Sequence, residues 1–249
     1  MDASSARAAP AATCTGPVGG AEYGEQMNPG ELPSWTSVLV VVAHPDDESF
    51  GLGGLLGAFA SAGAVIEVLC LTQGEASTLG ADGDDLVATR REELALAARR
   101  LGVATTTLLD LPDGELRELA EDRLRQPVRD AVERAHPDGV LVFDPDGGVT
   151  GHPDHEAASR AALAVADAHG IPVLGWALPT AVARALNADD GGSFVGHDDL
   201  DLTVLVDRAR QRRAIEAHAS QAVPGSVLWR RLELLGPVEH LRWLGRTGR

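Results

Sequence analysis

The stretch Val38-Leu39-Val40-Val41-Val42-Ala43-His44-Pro45-Asp46-Asp47-Glu48 decides the fold class. Six consecutive apolar, mostly β-branched residues leave no polar face, as expected of a parallel strand covered by helices on both sides. The chemistry then reverses abruptly, to an imidazole, a proline turn and three consecutive acids. Outward from this strand, apolar runs at 64–72, 105–109, 139–143, 173–178 and 200–206 read as further strands. They alternate with segments at 53–61, 90–101, 122–135 and 155–169 whose apolar residues recur at three- and four-residue spacing, the period of a helix. This alternation predicts an α/β fold of Rossmann-like type, a mostly parallel sheet with helices on both faces joined by right-handed crossovers. Residues 1–35, rich in Ala, Gly, Pro and Ser, are expected to form a flexible arm, and 36–249 a single domain. Turn-forming residues mark 79–89 and 187–199 as surface loops.

The formal net charge of −16, with 21 Lys and Arg and no basic run, repels phosphate backbones and argues against nucleic acid as a partner. Cys14 and Cys70 are the only cysteines, so neither a disulfide framework nor a thiolate metal site is indicated. Any metal must be held by His and carboxylate. No apolar run approaches the roughly 18 residues of a membrane span, and the leader lacks the apolar stretch of a secretory signal. A cytoplasmic protein acting on a small molecule is expected, with the oligomeric state left open.

His-Pro-Asp occurs three times, beginning at His44, His136 and His152. The first copy lies just past the carboxyl end of a buried strand, where open α/β sheets bind ligands. One Asp there explains itself as a helix cap. Three adjacent acids do not, because their mutual repulsion needs an offsetting cation. His44 and Asp47 are close enough in sequence to ligate one metal in a tight turn while Asp46 points elsewhere, with Glu48 backing them from outside the coordination sphere. The third ligand is expected from another strand end. Gly151-His152-Pro153-Asp154-His155 follows the strand ending at Phe143 and opens a helix, and His155 is the choice. Two histidines and one carboxylate form a hydrolytic metal site with coordination left open for water. By contrast, His136-Pro137-Asp138-Gly139 sits where a helix turns into a strand and reads as ordinary turn chemistry.

The two histidine motifs together resemble the PIG-L/LmbE superfamily of zinc de-N-acetylases, which includes the N-acetylglucosaminyl-phosphatidylinositol deacetylase and the mycothiol-pathway deacetylase and amidase. Leu71-Thr72-Gln73-Gly74-Glu75-Ala76, Arg90-Arg91-Glu92-Glu93 and Ala217-His218-Ala219-Ser220-Gln221 extend the resemblance over 37–221. It implies zinc on His44, Asp47 and His155, Asp46 as general base toward the metal-bound water, and His152 as oxyanion stabiliser or proton donor. It also implies substrate contacts at Arg90, Glu75, His218 and Asp154. Some members carry Tyr two residues before the histidine that corresponds to His152, where this chain has Thr150.

The expected activity is removal of an N-acyl group, such as acetyl, from an amino-sugar-containing small molecule. An amidase acting on a thiol–sugar conjugate or a glycosylated secondary metabolite would share these features, and the ligand set also suits Fe2+. A Rossmann-like sugar- or nucleotide-binding module with a structural cation is the alternative of another class, although such a module has no use for an unligated Asp46. The run Gly51-Leu52-Gly53-Gly54-Leu55-Leu56-Gly57 misses the dinucleotide fingerprint, which needs glycine where Leu56 stands, so close helix–sheet packing is expected of it. His169, His197 and His240 lack supporting context and are expected at the surface.

Overall fold

The computed structural model describes residues 30–79 and 85–245. Cys14, most of the expected arm and residues 80–84 of the first expected loop lie outside the described residues. The chain runs β1 (Ser37–Val42), α1 (Asp47–Phe50), α2 (Gly53–Ser61), β2 (Val65–Thr72), α3 (Leu86–Leu101), β3 (Thr105–Leu111), α4 (Glu121–Ala135) and β4 (Gly139–Phe143). It continues through α5 (Pro153–His169), β5 (Val173–Pro179), α6 (Thr180–Asp190), β6 (Gly196–His197), β7 (Leu202–Leu205), α7 (Arg208–Ile215), α8 (Val227–Leu235) and β8 (Val238–Leu244).

The sheet order is β3-β2-β1-β4-β5-β8-β7, with β6 beside β5. β1 to β5 are parallel, and β8 and β7 extend the sheet antiparallel beyond β5. The period of two along β1 divides the core. Val38, Val40 and Val42 pack toward Leu55, Phe59, Leu94 and Leu101 of α2 and α3, while Leu39, Val41 and Ala43 pack toward α4 and α5. The expected α/β architecture, with helices on both faces, is the one observed.

Strand order reverses at β1, since β2 and β3 lie on one side of it and β4 and β5 on the other. Ligands in such sheets bind at this switch point, outside the carboxyl ends of the strands. The turn that starts at His44 leaves β1 there, and the segment carrying His155 follows β4.

Several expectations change. Residues 30–35 do not belong to a flexible arm, because Gly30 N donates to Thr203 O at 2.8 Å and Trp35 stacks on Phe59 with ring centroids 5.7 Å apart. Residues 86–89 and 187–190 are helical rather than loop, capped at Asp85 in the first case and closed at Gly191 in the second. β8 was not anticipated, because Val238-Glu239-His240-Leu241-Arg242-Trp243-Leu244 intersperses charge with apolar residues and Glu239 is buried only by virtue of Arg208 and Trp176. His240, expected at the surface, is buried in that strand, and His197 is largely covered beside Asp144. Of the early glycines, Gly51 packs on the sheet as expected, where a Cβ would clash with the Phe143 side chain, while Gly53 and Gly57 serve helix–helix contact. A Cβ on Gly53 would lie 2.9 Å from Gln211 of α7, and one on Gly57 3.2 Å from Arg210.

Candidate functional site

The His44 turn, the segment after β2, the Leu111-Pro112-Asp113-Gly114 turn after β3 and the loop after β4 converge on one cavity of about 680 Å3. Its lining includes His44, Asp46, Asp47, Asp113, His152 and His155. This is a size suited to a small-molecule ligand.

At its floor, His44 Nδ1 lies 3.2 Å from His155 Nε2, His155 Nε2 lies 3.1 Å from one Asp47 oxygen, and His44 Nδ1 lies 3.6 Å from the other. Zinc binds N and O ligands at 2.0–2.1 Å, so tetrahedral neighbours sit about 3.3 Å apart. These spacings, from the two ring nitrogens to one another and to the two Asp47 oxygens, bracket that value and suit a metal. The far side of each ring agrees. Thr150 Oγ1 is 2.8 Å from His155 Nδ1, and His44 Nε2 is 2.9 Å from Asp113 Oδ1, so each ring's other nitrogen meets an oxygen that orients it. The His44 contact is a charge contact off the hydrogen-bond angle, since Nε2 has no aligned partner.

The charges make the same demand. Burial pushes the His44 pKa down, yet Asp113, Asp154 and Asp47 outweigh it and hold the ring well above its ordinary value. Burial likewise raises Asp47, and His155 and His44 reverse the shift to leave it well below the carboxylate range. The cluster thus attracts positive charge, which a divalent ion supplies.

The ring nitrogens of His44, His152 and His155 also lie within 4.8 Å of one another, a geometry open to a three-histidine site. The tautomer argues against it. His152 caps α5 by accepting the Asp154 N–H on Nδ1 at 3.2 Å, so the neutral ring carries its proton on Nε2 and donates rather than ligates. Burial, followed by His155 and His44, lowers its pKa and favours that neutral form.

Asp46 adopts φ 138°, a backbone conformation rare outside glycine. Its N–H donates to Glu48 Oε2 at 3.0 Å, and Arg90 Nη2 donates to its Oδ2 at 3.0 Å. Burial raises the Asp46 pKa to about 6 against the opposing charge of Arg90, within reach of proton exchange near neutral pH.

The four residues expected to contact substrate each have partners within the protein, and of them only Arg90 lines the cavity. Arg90 is 3% exposed and its guanidinium is engaged by Gly74 O, Pro45 O and Asp46, so it works through Asp46. His218 is fully buried and pairs with Glu48 Oε1 at 2.7 Å. Asp154 is fully buried and accepts the N–H groups of Gly114 and Leu116 at 2.7 and 3.0 Å, anchoring the turn that carries Asp113. Glu75 is exposed, away from the cavity wall, and accepts the Asp113 N–H at 3.0 Å. Glu48 braces the Asp46 backbone rather than a ligand side chain. Asp113 itself was missed, although an acid just past a parallel strand's carboxyl end is the same positional signal that singled out His44.

The third His-Pro-Asp copy lies elsewhere. His136 is the left-handed C-cap of α4, and Asp138 accepts from Thr36 and Ser37 at the start of β1, the opposite edge of the sheet.

Residues 39–166 match the PIG-L family, described as GlcNAc-PI de-N-acetylase. The chain is 30% identical over 225 residues to a probable N-acetyl-α-D-glucosaminyl L-malate deacetylase of Bacillus anthracis, covering 84% of this chain and 92% of that one. With the 1D-myo-inositol 2-acetamido-2-deoxy-α-D-glucopyranoside deacetylase of Kineococcus radiotolerans the identity is 36%, but the match spans only 37% of this chain and 29% of that enzyme. Among solved structures, the N,N′-diacetylchitobiose deacetylase of Pyrococcus horikoshii aligns with a TM-score of 0.62 at 23% identity over 84% of each chain. A 4-carboxy-2-hydroxymuconate hydratase from Pseudomonas putida shares the fold at TM-score 0.60 and 21% identity over 85% of this chain and 97% of that one. Fold alone therefore does not specify the reaction. Extended sequence identity, added to the family match across both histidine motifs, establishes that the chain belongs to the PIG-L family.

Proposed function

We propose that the chain is a zinc-dependent N-deacetylase acting on an N-acetylated, amino-sugar-containing small molecule. The observation that carries this reading is the set of donors from His44, Asp47 and His155 at metal-ligand spacing beside a partly buried Asp46 that points elsewhere in the cavity. His44 Nδ1, Asp47 and His155 Nε2 would hold the ion. Zinc bound there would supply a water acidified toward a pKa of about 7 and a Lewis acid for the acyl carbonyl.

The protein's own groups do the rest. Asp46, fixed by Arg90 and Glu48, accepts a proton from the attacking water and returns one to the leaving nitrogen. The Nε2–H of His152 faces the developing negative charge on the carbonyl oxygen and stabilises it. Asp113, whose Oδ2 accepts the Ala76 N–H at 2.9 Å, keeps Oδ1 beside His44 Nε2 at the cavity wall, where a sugar hydroxyl would share it. The deacetylase names carried by the relatives support an amino-sugar substrate.

Acetate release from a panel of N-acetylglucosamine glycosides, a thiol conjugate and a glycopeptide tests the reading. Zinc-loaded protein is expected to release acetate from at least one sugar, chelated protein from none, and zinc to restore the rate. Full turnover by protein shown to be metal-free contradicts the reading.

A further inference from the structure

Arg231, on α8, forms part of the cavity wall although only 5% of it is exposed. Its Nη2 donates to Phe50 O at the end of α1, and the guanidinium lies 4.9 Å above the ring centroid of the fully buried Trp176. Nε is sealed from solvent with no partner, and among the described residues Nη1 makes no hydrogen bond and no carboxylate lies within ion-pair distance. Glu239, the acid whose charge it feels most, is engaged by Trp176 Nε1 at 2.7 Å and by Arg208. Arg231 is thus a buried cation without a counter-ion, an arrangement that is costly unless something pairs with it.

A cap for α1 needs one donor, and a guanidinium carries five. Burial lowers its pKa only to about 10, so it stays charged at neutral pH. We propose that Arg231 recognises an anionic group, a carboxylate or phosphate, on the substrate. The proposal rests on the deacetylase reading for the word substrate, but not for the anion. The planar fork matches the oxygens of either group, and desolvation in the cavity wall strengthens the pairing.

Zinc-loaded wild type, Arg231→Met and Arg231→Lys, each checked by a thermal melt, are compared in two assays. Calorimetric titration with inorganic phosphate reads the anion site without turnover. KM values for methyl N-acetylglucosaminide and for N-acetylglucosamine bearing an anomeric phosphate read it through the reaction. Arg231→Met is expected to weaken phosphate binding about tenfold or more and to erase a wild-type KM advantage of similar size for the phosphorylated sugar. Arg231→Lys, which keeps the charge but not the fork, falls between, and replaces Arg231→Met if that variant does not fold. Phosphate affinity within twofold of wild type in the folded variant overturns the proposal. Weakened phosphate binding with an unchanged KM ratio assigns the site to free anion and overturns its role in substrate recognition. If neither sugar is hydrolysed, the deacetylase reading fails while the titration still decides Arg231.

Discussion

At the scale of single residues, what sequence spelling reveals is which side-chain types gather at the strand ends, and what it hides is the direction of everything around them. His44, Asp46 and Asp47 share one short turn after a buried strand and His155 opens the helix that follows β4, and the structure brings His44, Asp47 and His155 together as the sequence pairs them. The partners of Arg90, Glu75, His218 and Asp154 were not legible, because each finds its partner on a different segment, and a motif match records presence without orientation. Thr150 is the clearest case. It meets His155 Nδ1 at 2.8 Å, which leaves Nε2 turned toward His44 and Asp47. Thr150→Val keeps the shape and removes the oxygen. Its zinc affinity, measured by chelator competition, is expected to fall about 10- to 100-fold, the range for loss of a group that orients a metal ligand.

At the scale of elements, the strands buried on both faces were read correctly because burial forces an apolar run, whereas β8 escaped because its acid and arginine are paired only in three dimensions. The weaker motifs prove to be ties between elements. Glu93 of α3 accepts from Ser220 N and Oγ, both at 2.7 Å, so the arginine-rich helix start and the His218 segment hold each other. Asp154 does the same for the turn after β3. Asp154→Ala leaves the N–H groups of Gly114 and Leu116 without their acceptor, and the expected cost is about 1–3 kcal/mol in a denaturant melt. Asp113 rides on that turn, so KM should rise in the same variant. An unchanged KM would separate Asp113 from substrate binding.

Across the whole molecule, the site sits where β1 and β4 diverge, and the segments that follow β2 and β3 complete it. Beneath it, His218 and Glu48 couple the late chain to the first motif. Burial lowers the His218 pKa, but the charge and hydrogen bond of Glu48 outweigh it and leave the ring above its ordinary value. A histidine raised on folding contributes stability that is fully present below its unfolded value near 6.5 and is lost as pH rises through the folded value. Thermal melts should therefore show wild type losing its advantage over His218→Gln as pH increases from about 6.5, and an advantage that grows with pH would contradict the pairing.

The central claim is that ligation and proton transfer reside on different members of one turn. Bound zinc per chain, determined together with the rate of acetate release, tests it in wild type, Asp46→Asn, His155→Ala and His136→Ala, with melts to confirm folding. The account predicts about one zinc in wild type, Asp46→Asn and His136→Ala, and loss of the ion in His155→Ala. It further predicts that Asp46→Asn lowers kcat by on the order of 10² or more while keeping its metal, and that His136→Ala retains the wild-type rate. Loss of zinc from Asp46→Asn, or full zinc and turnover in His155→Ala, would contradict it.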